Sequence, residues 1–482
     1  MDKTSEVSRH IMGKGILYLT VSQVVFAATG FLLHIGIARI LGVEAYGIYG
    51  IIMSFLGITY SVYMPGIQTA VSKFTAEDIN KADSVLKAGV KLQMALSVVL
   101  IALIFVLAPN IASFLKDSSL TSFIRLASLI IIPTALNTVY IASLSGVRIF
   151  VKQAVSVIWQ SVIKLLLLFL IIFLGFKIKG VLIGLIVSTT IGMFISRYFC
   201  KFKKINERFE IKKLLVFATP VLLYVFCLTS IAGLDLLFVK SILQSNREAG
   251  LYTSASNISK FPFILFSSFS TVLLPSISRA YFLNDIELFK KYTNQSLRYL
   301  LLLMFPIVAI LSATSGGIIE IFYSNKYSGA ASALSILLFG GAFSIILSIL
   351  GSVIIGCDKP KTMMYITLIL LPLDIILNKF LIPLYRLDGA ATATAITFLF
   401  GTLMAGIYIY YKFKTLMGLL SFFKISLASA IIYFISIKFS VAGIAVFGEY
   451  LILFILYILL LFLFKEIKKE DIKIARDTFK IA

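Results

Sequence analysis

Charge is scarce in this chain. Only 14% of its 482 residues are Asp, Glu, Lys or Arg, against about 25% in a soluble domain. The shortage falls on the acids, 22 of them against 44 Lys and Arg, for a net charge of +22. There are three cysteines, Cys200, Cys227 and Cys357, in no C-x-x-C or other ligand spacing, and two histidines, His10 and His34. A metal site is therefore not expected, and no motif asks for a cofactor. What fills the space is apolar: 60% of the residues, against roughly 45–50% in a soluble domain. That excess excludes a soluble enzyme, a disordered chain and a nucleic-acid binder. It reads as an all-α polytopic membrane protein. The first apolar stretch is too long for a signal-peptide core and lacks an A-x-A exit, so it reads as a membrane span.

A span needs about 20 apolar residues. Fourteen stretches qualify: 13–38, 47–71, 89–108, 122–145, 152–174 and 180–199, then 214–239, 250–277, 293–314, 329–355, 362–384 and 388–411, and finally 418–439 and 445–464. The rest is short loops and two tails, with no room for a soluble domain. With the N-terminus placed in the cytoplasm, 31 Lys and Arg fall on the cytoplasmic side and eleven on the other, while Lys164 and Lys260 lie inside spans. Excess Lys and Arg marks the cytoplasmic face. The expectation is a protein of the cytoplasmic (plasma) membrane with both termini inside. The same scatter over many short loops argues against a nucleic-acid partner, and Lys116-Asp117-Ser118-Ser119 reads as a solvated outer loop.

A weak internal repeat runs through the chain. Gly47-Ile48-Tyr49 after the first span matches Gly250-Leu251-Tyr252 after the seventh, 203 residues on. Gly146-Val147-Arg148 matches Gly356-Cys357-Asp358 at an offset of 210, and Lys179-Gly180-Val181 matches Asp388-Gly389-Ala390 at 209. Near-equal offsets in the same order indicate two six-span units in the same orientation. The expected organisation is an N-terminal lobe over 1–205, a C-terminal lobe over 206–414, and an additional helix pair with a basic tail over 415–482, joined by the basic segment around Lys201 to Lys213.

At these residues the sequence resembles the polysaccharide-transport branch of the multidrug/oligosaccharidyl-lipid/polysaccharide flippase superfamily. The motifs are Ala38-Arg39-Ile40-Leu41-Gly42 with Tyr46-Gly47-Ile48-Tyr49, Asp235 followed by Gly250-Leu251-Tyr252, Leu274-Pro275-Ser276-Ile277-Ser278-Arg279, and Leu387-Asp388-Gly389-Ala390-Ala391-Thr392-Ala393-Thr394. The resemblance implies a flippase for an isoprenoid-pyrophosphate-linked oligosaccharide, not an enzyme. It implies two pseudo-symmetric six-helix lobes around a central cavity, alternating access, and spans 1, 2, 7 and 8 lining the cavity. The last two spans would form a groove for the lipid tail. The partners implied are membrane lipid, the lipid-linked sugar, and a polysaccharide polymerase or glycosyltransferases.

Ionisable groups inside a span cost about 2.5–3.5 kcal/mol each, so each needs a partner or a water-filled cavity. Tyr252, Ser256 and Lys260 recur every four residues and Ser267 follows seven further on, one polar face of a helix. Lys260 suits a cavity wall that meets a pyrophosphate; the plainer reading is a lysine paired for packing. Lys164, in a stripe with Gln153 and Gln160, admits the same two readings. Gln23, Gly30 and His34 form a similar stripe in the first span, where a hydrogen-bonded interior histidine is the preferred reading. Arg39 faces the cavity mouth or pairs with Glu44, and the second is preferred. Asp235 and Asp374 are candidates for cation coupling, each with a lysine five residues on, Lys240 and Lys379, and structural pairing is preferred. Pro65, Pro220, Pro262, Pro275, Pro306 and Pro372 lie within spans and permit bends.

Two rival readings belong to the same superfamily. Resemblance to the multidrug/cation antiporter branch would imply a carboxylate within the first span as the cation site, and 13–38 contains no Asp or Glu. A peptidoglycan-precursor lipid flippase differs only in the head group it carries. A membrane glycosyltransferase would need an acidic pair or a sizeable surface loop, and the outer loops are short and contain no D-x-D.

Overall fold

The structure is a computed structural model that describes residues 3–203, 209–439 and 443–467; the side chains at 3–17, 220–221, 267–272, 275, 444 and 447 lie outside the described set. Among the described residues every regular element is helical. In order, the α-helices are α1 Lys3–Leu41, α2 Val43–Ser61, α3 Met64–Glu77, α4 Ala82–Phe114, α5 Leu120–Ser128, α6 Ile131–Gly146, α7 Phe150–Phe173, α8 Ile178–Phe199 and α9 Ile211–Leu243. They continue as α10 Asn246–Ser259, α11 Phe261–Phe282, α12 Ile286–Ala313, α13 Ser315–Tyr323, α14 Ala331–Gly356, α15 Pro360–Phe413, α16 Leu419–Lys438 and α17 Val446–Leu463.

Eleven helices among the described residues are long and apolar enough to cross a membrane, against the fourteen expected. Of the three that differ, one is a merger, and the other two fall on helices whose side chains are described only in part. The 54-residue α15 covers two expected spans and turns at Arg386 (φ 53, ψ −124). The expected span 250–277 falls on two helices, α10 and α11, and 445–464 falls on α17. The all-α membrane class stands.

The burial pattern is that of a protein solvated by lipid. Along α4, Val98, Val99 and Val106 are exposed while Gln93 and Ser97 are buried; along α16, Phe423 and Phe434 are exposed while Ser429 and Ser436 are buried. Small and polar side chains pack inward and bulky apolar ones face outward, because hydrocarbon offers no reward for hiding the latter.

Two compact units divide the chain, Met1–Thr253 and Ser254–Ala482, with the division inside α10. In the first, α3 supplies Ile67, Ala70 and Val71 to a core shared with Val85, Leu92, Val139 and Ala218, the i, i+3, i+4 spacing of a buried helical face. Helix α1 packs on α7, α7 on α8, and α9 on both α2 and α3. In the second, α14 packs against α11, α12 and α15, and α16 lies on α12. The boundary expected at 205/206 separates the halves of the sequence repeat, whereas contacts place α9 with the first unit.

The repeat reappears as local geometry. After Gly146 the Ile149 N–H reaches the Leu144 carbonyl (3.0 Å) and Arg148 takes φ 62; after Gly356 the Lys359 N–H reaches the Ile354 carbonyl (3.2 Å) and Asp358 takes φ 57. This is the same helix-ending turn 210 residues apart. Helix α1 ends at Gly42 (φ 84) and α9 at Gln244 (φ 53). The second span of each half is broken, between α2 and α3 and between α10 and α11, with Pro65 and Pro262 in the first turn of the helix after the break. At that position proline lacks only a donor that has no helical partner anyway. Pro65 and Pro262 therefore start helices, whereas Pro306 and Pro372 lie inside α12 and α15. Pro220 and Pro275 lie among the side chains outside the described set.

Candidate functional site

The polar residues of the broken and neighbouring helices are the candidate site. Lys260 caps the start of α11, at the break itself, and is exposed. The expected stripe Tyr252–Ser256–Lys260–Ser267 is thus not one face of a continuous helix. Tyr252 is fully buried and donates its hydroxyl to Asp235 Oδ2 at 2.7 Å. Ser256 is half-buried, and the Ser267 side chain lies outside the described residues.

Asp235 is buried on α9 and bonded to Tyr252, but Lys240 is not its partner. Lys240, 2% exposed, donates instead to Asp117 Oδ2 (2.9 Å) and Asn246 Oδ1 (2.6 Å). The loop expected to be merely solvated therefore anchors α9. Burial raises the Asp117 pKa, but hydrogen bonds from Ser119 and Lys240 and the Lys240 charge outweigh it and hold the carboxyl below its ordinary range. Asp374 on α15 is fully buried; Asn378 Nδ2 donates to its Oδ2 (3.0 Å) and Thr397 Oγ1 to its Oδ1 (3.3 Å), while Lys379 is exposed. Both acids bond to neutral groups, hydroxyls and an amide, where the sequence offers a lysine five residues on.

His34 shares a hydrogen bond with the Tyr46 hydroxyl (3.0 Å) and meets the Tyr49 ring edge-on at 5.5 Å between centroids, the interior histidine of the preferred reading. Lys164 is half-buried with its ammonium 5.3 Å from the Phe26 ring centroid, a cation–π contact between α7 and α1. Gln160, from the same stripe, accepts at Oε1 from Asn137 Nδ2 (2.9 Å), and Asn137 Oδ1 accepts from the Ser196 hydroxyl (2.7 Å). Gln23 is exposed on α1, and Arg39 is exposed in its last turn. Sequence reasoning passed over Asp117, Asn246, Asn378 and Thr397. Only Asn378 had a local signal, its i, i+4 spacing from Asp374. Among the described residues no group of His, Cys, Asp or Glu is arranged to hold a metal ion.

Fold and site together define a polytopic all-helical membrane protein. The chain belongs to the polysaccharide biosynthesis protein family, whose model matches residues 37–332. It is 26% identical over 419 residues to an uncharacterized membrane protein of Methanocaldococcus jannaschii, covering 80% of this chain and 94% of that one. It is 22% identical over 454 residues to the lipid II flippase MurJ of Bacillus subtilis (83% and 81% covered). It is also 23% identical over 410 residues to a putative O-antigen transporter of Shigella flexneri (80% and 94% covered). Among solved structures, the inward closed conformation of a lipid II flippase MurJ superposes with a TM-score of 0.75 at 21% identity, covering 95% of this chain and 99% of that one. An inward-facing multidrug resistance transporter of the multidrug/oligosaccharidyl-lipid/polysaccharide flippase superfamily gives 0.67 at 16% identity, covering 83% and 98%. These structural likenesses establish the fold, and the family expected from the sequence motifs is the family found.

Proposed function

We infer that the protein moves an isoprenoid-pyrophosphate-linked oligosaccharide, a surface-polysaccharide repeat unit, across the cytoplasmic membrane by alternating access. The observation that carries this reading is the pair of proline-associated helix breaks at corresponding places in the two halves, one of them bearing Lys260. Helices interrupted at matching positions of a repeat are where transporters of this kind hold substrate. An exposed ammonium at the start of α11 adds its charge to the positive end of a helix, and both favour a phosphate through charge-assisted hydrogen bonds. The tail stays in lipid, so only the head group crosses. One or two cations suit transport better than a dense cluster, because the head group must also be released; Lys164 is the second cation in this proposal. Polar groups for the sugar would come from Ser256, Ser267, Gln23 and Arg39, with Tyr252 and His34 as supports. The relative named as a putative O-antigen transporter and the absence of an acid from 13–38 favour an anionic substrate over a cationic drug.

The second reading, a flippase for a peptidoglycan precursor, is supported by the likeness to MurJ. Export of surface polysaccharide, normalised to protein in the membrane, tests the first. Lys260→Ala and Lys260→Gln should lose export, with Lys260→Arg retaining part. Unchanged export in Lys260→Ala would remove Lys260 from the mechanism. Rescue of a strain lacking its lipid II flippase, without polysaccharide export, would favour the second reading. Asp235 and Asp374 are the acids a coupling cation would meet. Run alongside, Asp374→Asn should lose any dependence of export on a proton or sodium gradient, and a retained dependence would exclude Asp374.

A further inference from the structure

The outer surface of α7 and α8 carries a groove of about 550 Å³ lined by Trp159, Ile191, Phe194, Ile195, Tyr198 and Phe199. Such a volume lies within the range of ligand sites. Its rings are not hidden by the protein: Trp159 is 53% exposed and Tyr198 65%. Ile191, Phe194, Ile195 and Tyr198 recur at i, i+3, i+4 and i+7, one face of α8. One end of the groove is basic. Lys201 Nζ sits 4.1 Å from the Tyr198 ring centroid, and Arg197 lies in the last turn of α8. Lys152 stands seven residues before Trp159 on α7, two turns away on the same face and about 10 Å along the axis. Its charge reaches Cys200, just past the end of α8. Neither helix contains an Asp or Glu.

We propose that this groove binds an anionic phospholipid of the surrounding bilayer. An acyl chain lies along Trp159, Phe194 and Tyr198, and the head-group phosphate is held by Lys152, Arg197 and Lys201. Charge complementarity selects the head group, since basic pockets between membrane helices collect anionic lipids. Length selects the kind of lipid. From Ile191 to Phe199 the lining runs about 12 Å along the helix, within the ~15 Å of one leaflet's hydrocarbon, whereas a long isoprenoid tail would overrun it.

Trp159 is the only tryptophan in the chain, so its emission reports on this groove alone. The full-length protein is reconstituted in phosphatidylcholine vesicles containing increasing amounts of either phosphatidylglycerol or phosphatidylcholine brominated on the acyl chains. Brominated phosphatidylglycerol should quench Trp159 at a several-fold lower mole fraction. Lys152→Ala combined with Lys201→Ala should reduce that preference by about fivefold or more, from the attraction each basic residue exerts on anionic lipid. The control variant Lys359→Ala with Lys361→Ala, exposed lysines elsewhere, should leave it intact. Equal quenching by the two lipids, or an equal loss in the control, would overturn the proposal. Relief of quenching by an equimolar isoprenoid pyrophosphate would also overturn it, by assigning the groove to a different lipid.

Discussion

At the scale of single residues, the buried cation Lys240 is the most exacting group among the described residues. Its side chain is 2% exposed, against 16% for Asp117. The two partners are therefore not equivalent. Asp117→Ala strands an ammonium with only Asn246 for company and should destabilise the protein by on the order of 3 kcal/mol, in the range for a buried pair broken from one side. Lys240→Ala should cost less, because Asp117 can take up water. Thermal unfolding in detergent checks the order, and a larger loss in Lys240→Ala would refute it. The pair also carries a pH signature. The folded pKa of Asp117 lies below its unfolded value near 3.8. Its stabilisation is complete above that value and is lost as pH falls through the depressed folded one. Asp117→Asn should lack this acid-linked loss.

Helices here are placed by what their surfaces allow to approach. Gly47 and Gly250, 203 residues apart in the repeat, sit against each other's elements. A Cβ on Gly47 would meet the Asn246 carbonyl, and one on Gly250 the Val43 carbonyl. Both obstacles are backbone, so neither can rotate away. Gly250→Ala should cost about 1–3 kcal/mol, the usual penalty of overpacking. By contrast, Gly57, with open space around it, should tolerate alanine. Equal melting temperatures for Gly250→Ala and Gly57→Ala would show that the contact has no energetic consequence. The helix breaks belong to this scale too. Pro65 and Pro262 are plain in the sequence, but a proline inside an apolar run is compatible with a kink or with a fresh start. Only the surrounding backbone shows that here it is a start.

For the molecule as a whole, the distribution of basic residues makes a claim about sidedness. With the fourteen spans read from the sequence, 31 Lys and Arg would fall on one face and eleven on the other, so both termini and the loop containing Lys203 should be cytoplasmic. Lys203→Cys should resist an impermeant thiol reagent in intact cells, and Lys326→Cys should react. The reverse pattern would invert the topology. The native thiols should contribute little background: Cys227 is buried, and burial pushes Cys200 up to about 12 and Cys357 up to about 11, leaving little thiolate to react. The repeat carries a second expectation at this scale, that residues 13–199 superpose on 214–411 as two bundles of the same topology. Failure of the two halves to align would confine the repeat to the turns at Arg148 and Asp358.

The sequence by itself determined the solvent, the class of fold and the family. Lipid leaves its mark on composition, span length is set by the thickness of hydrocarbon, and short glycine- and proline-containing turns are local, so each can be read without knowing what packs on what. It also picked out the polar residues worth following, because a charge in an apolar run is conspicuous wherever it points. What those residues do was decided by tertiary structure. Asp235 bonds to Tyr252 rather than Lys240, Lys240 reaches across 123 residues to Asp117, and Lys260 stands at a helix start instead of along a helical face. Those choices depend on which helices become neighbours and where a helix breaks. Periodicity along one element contains no information about the element beside it.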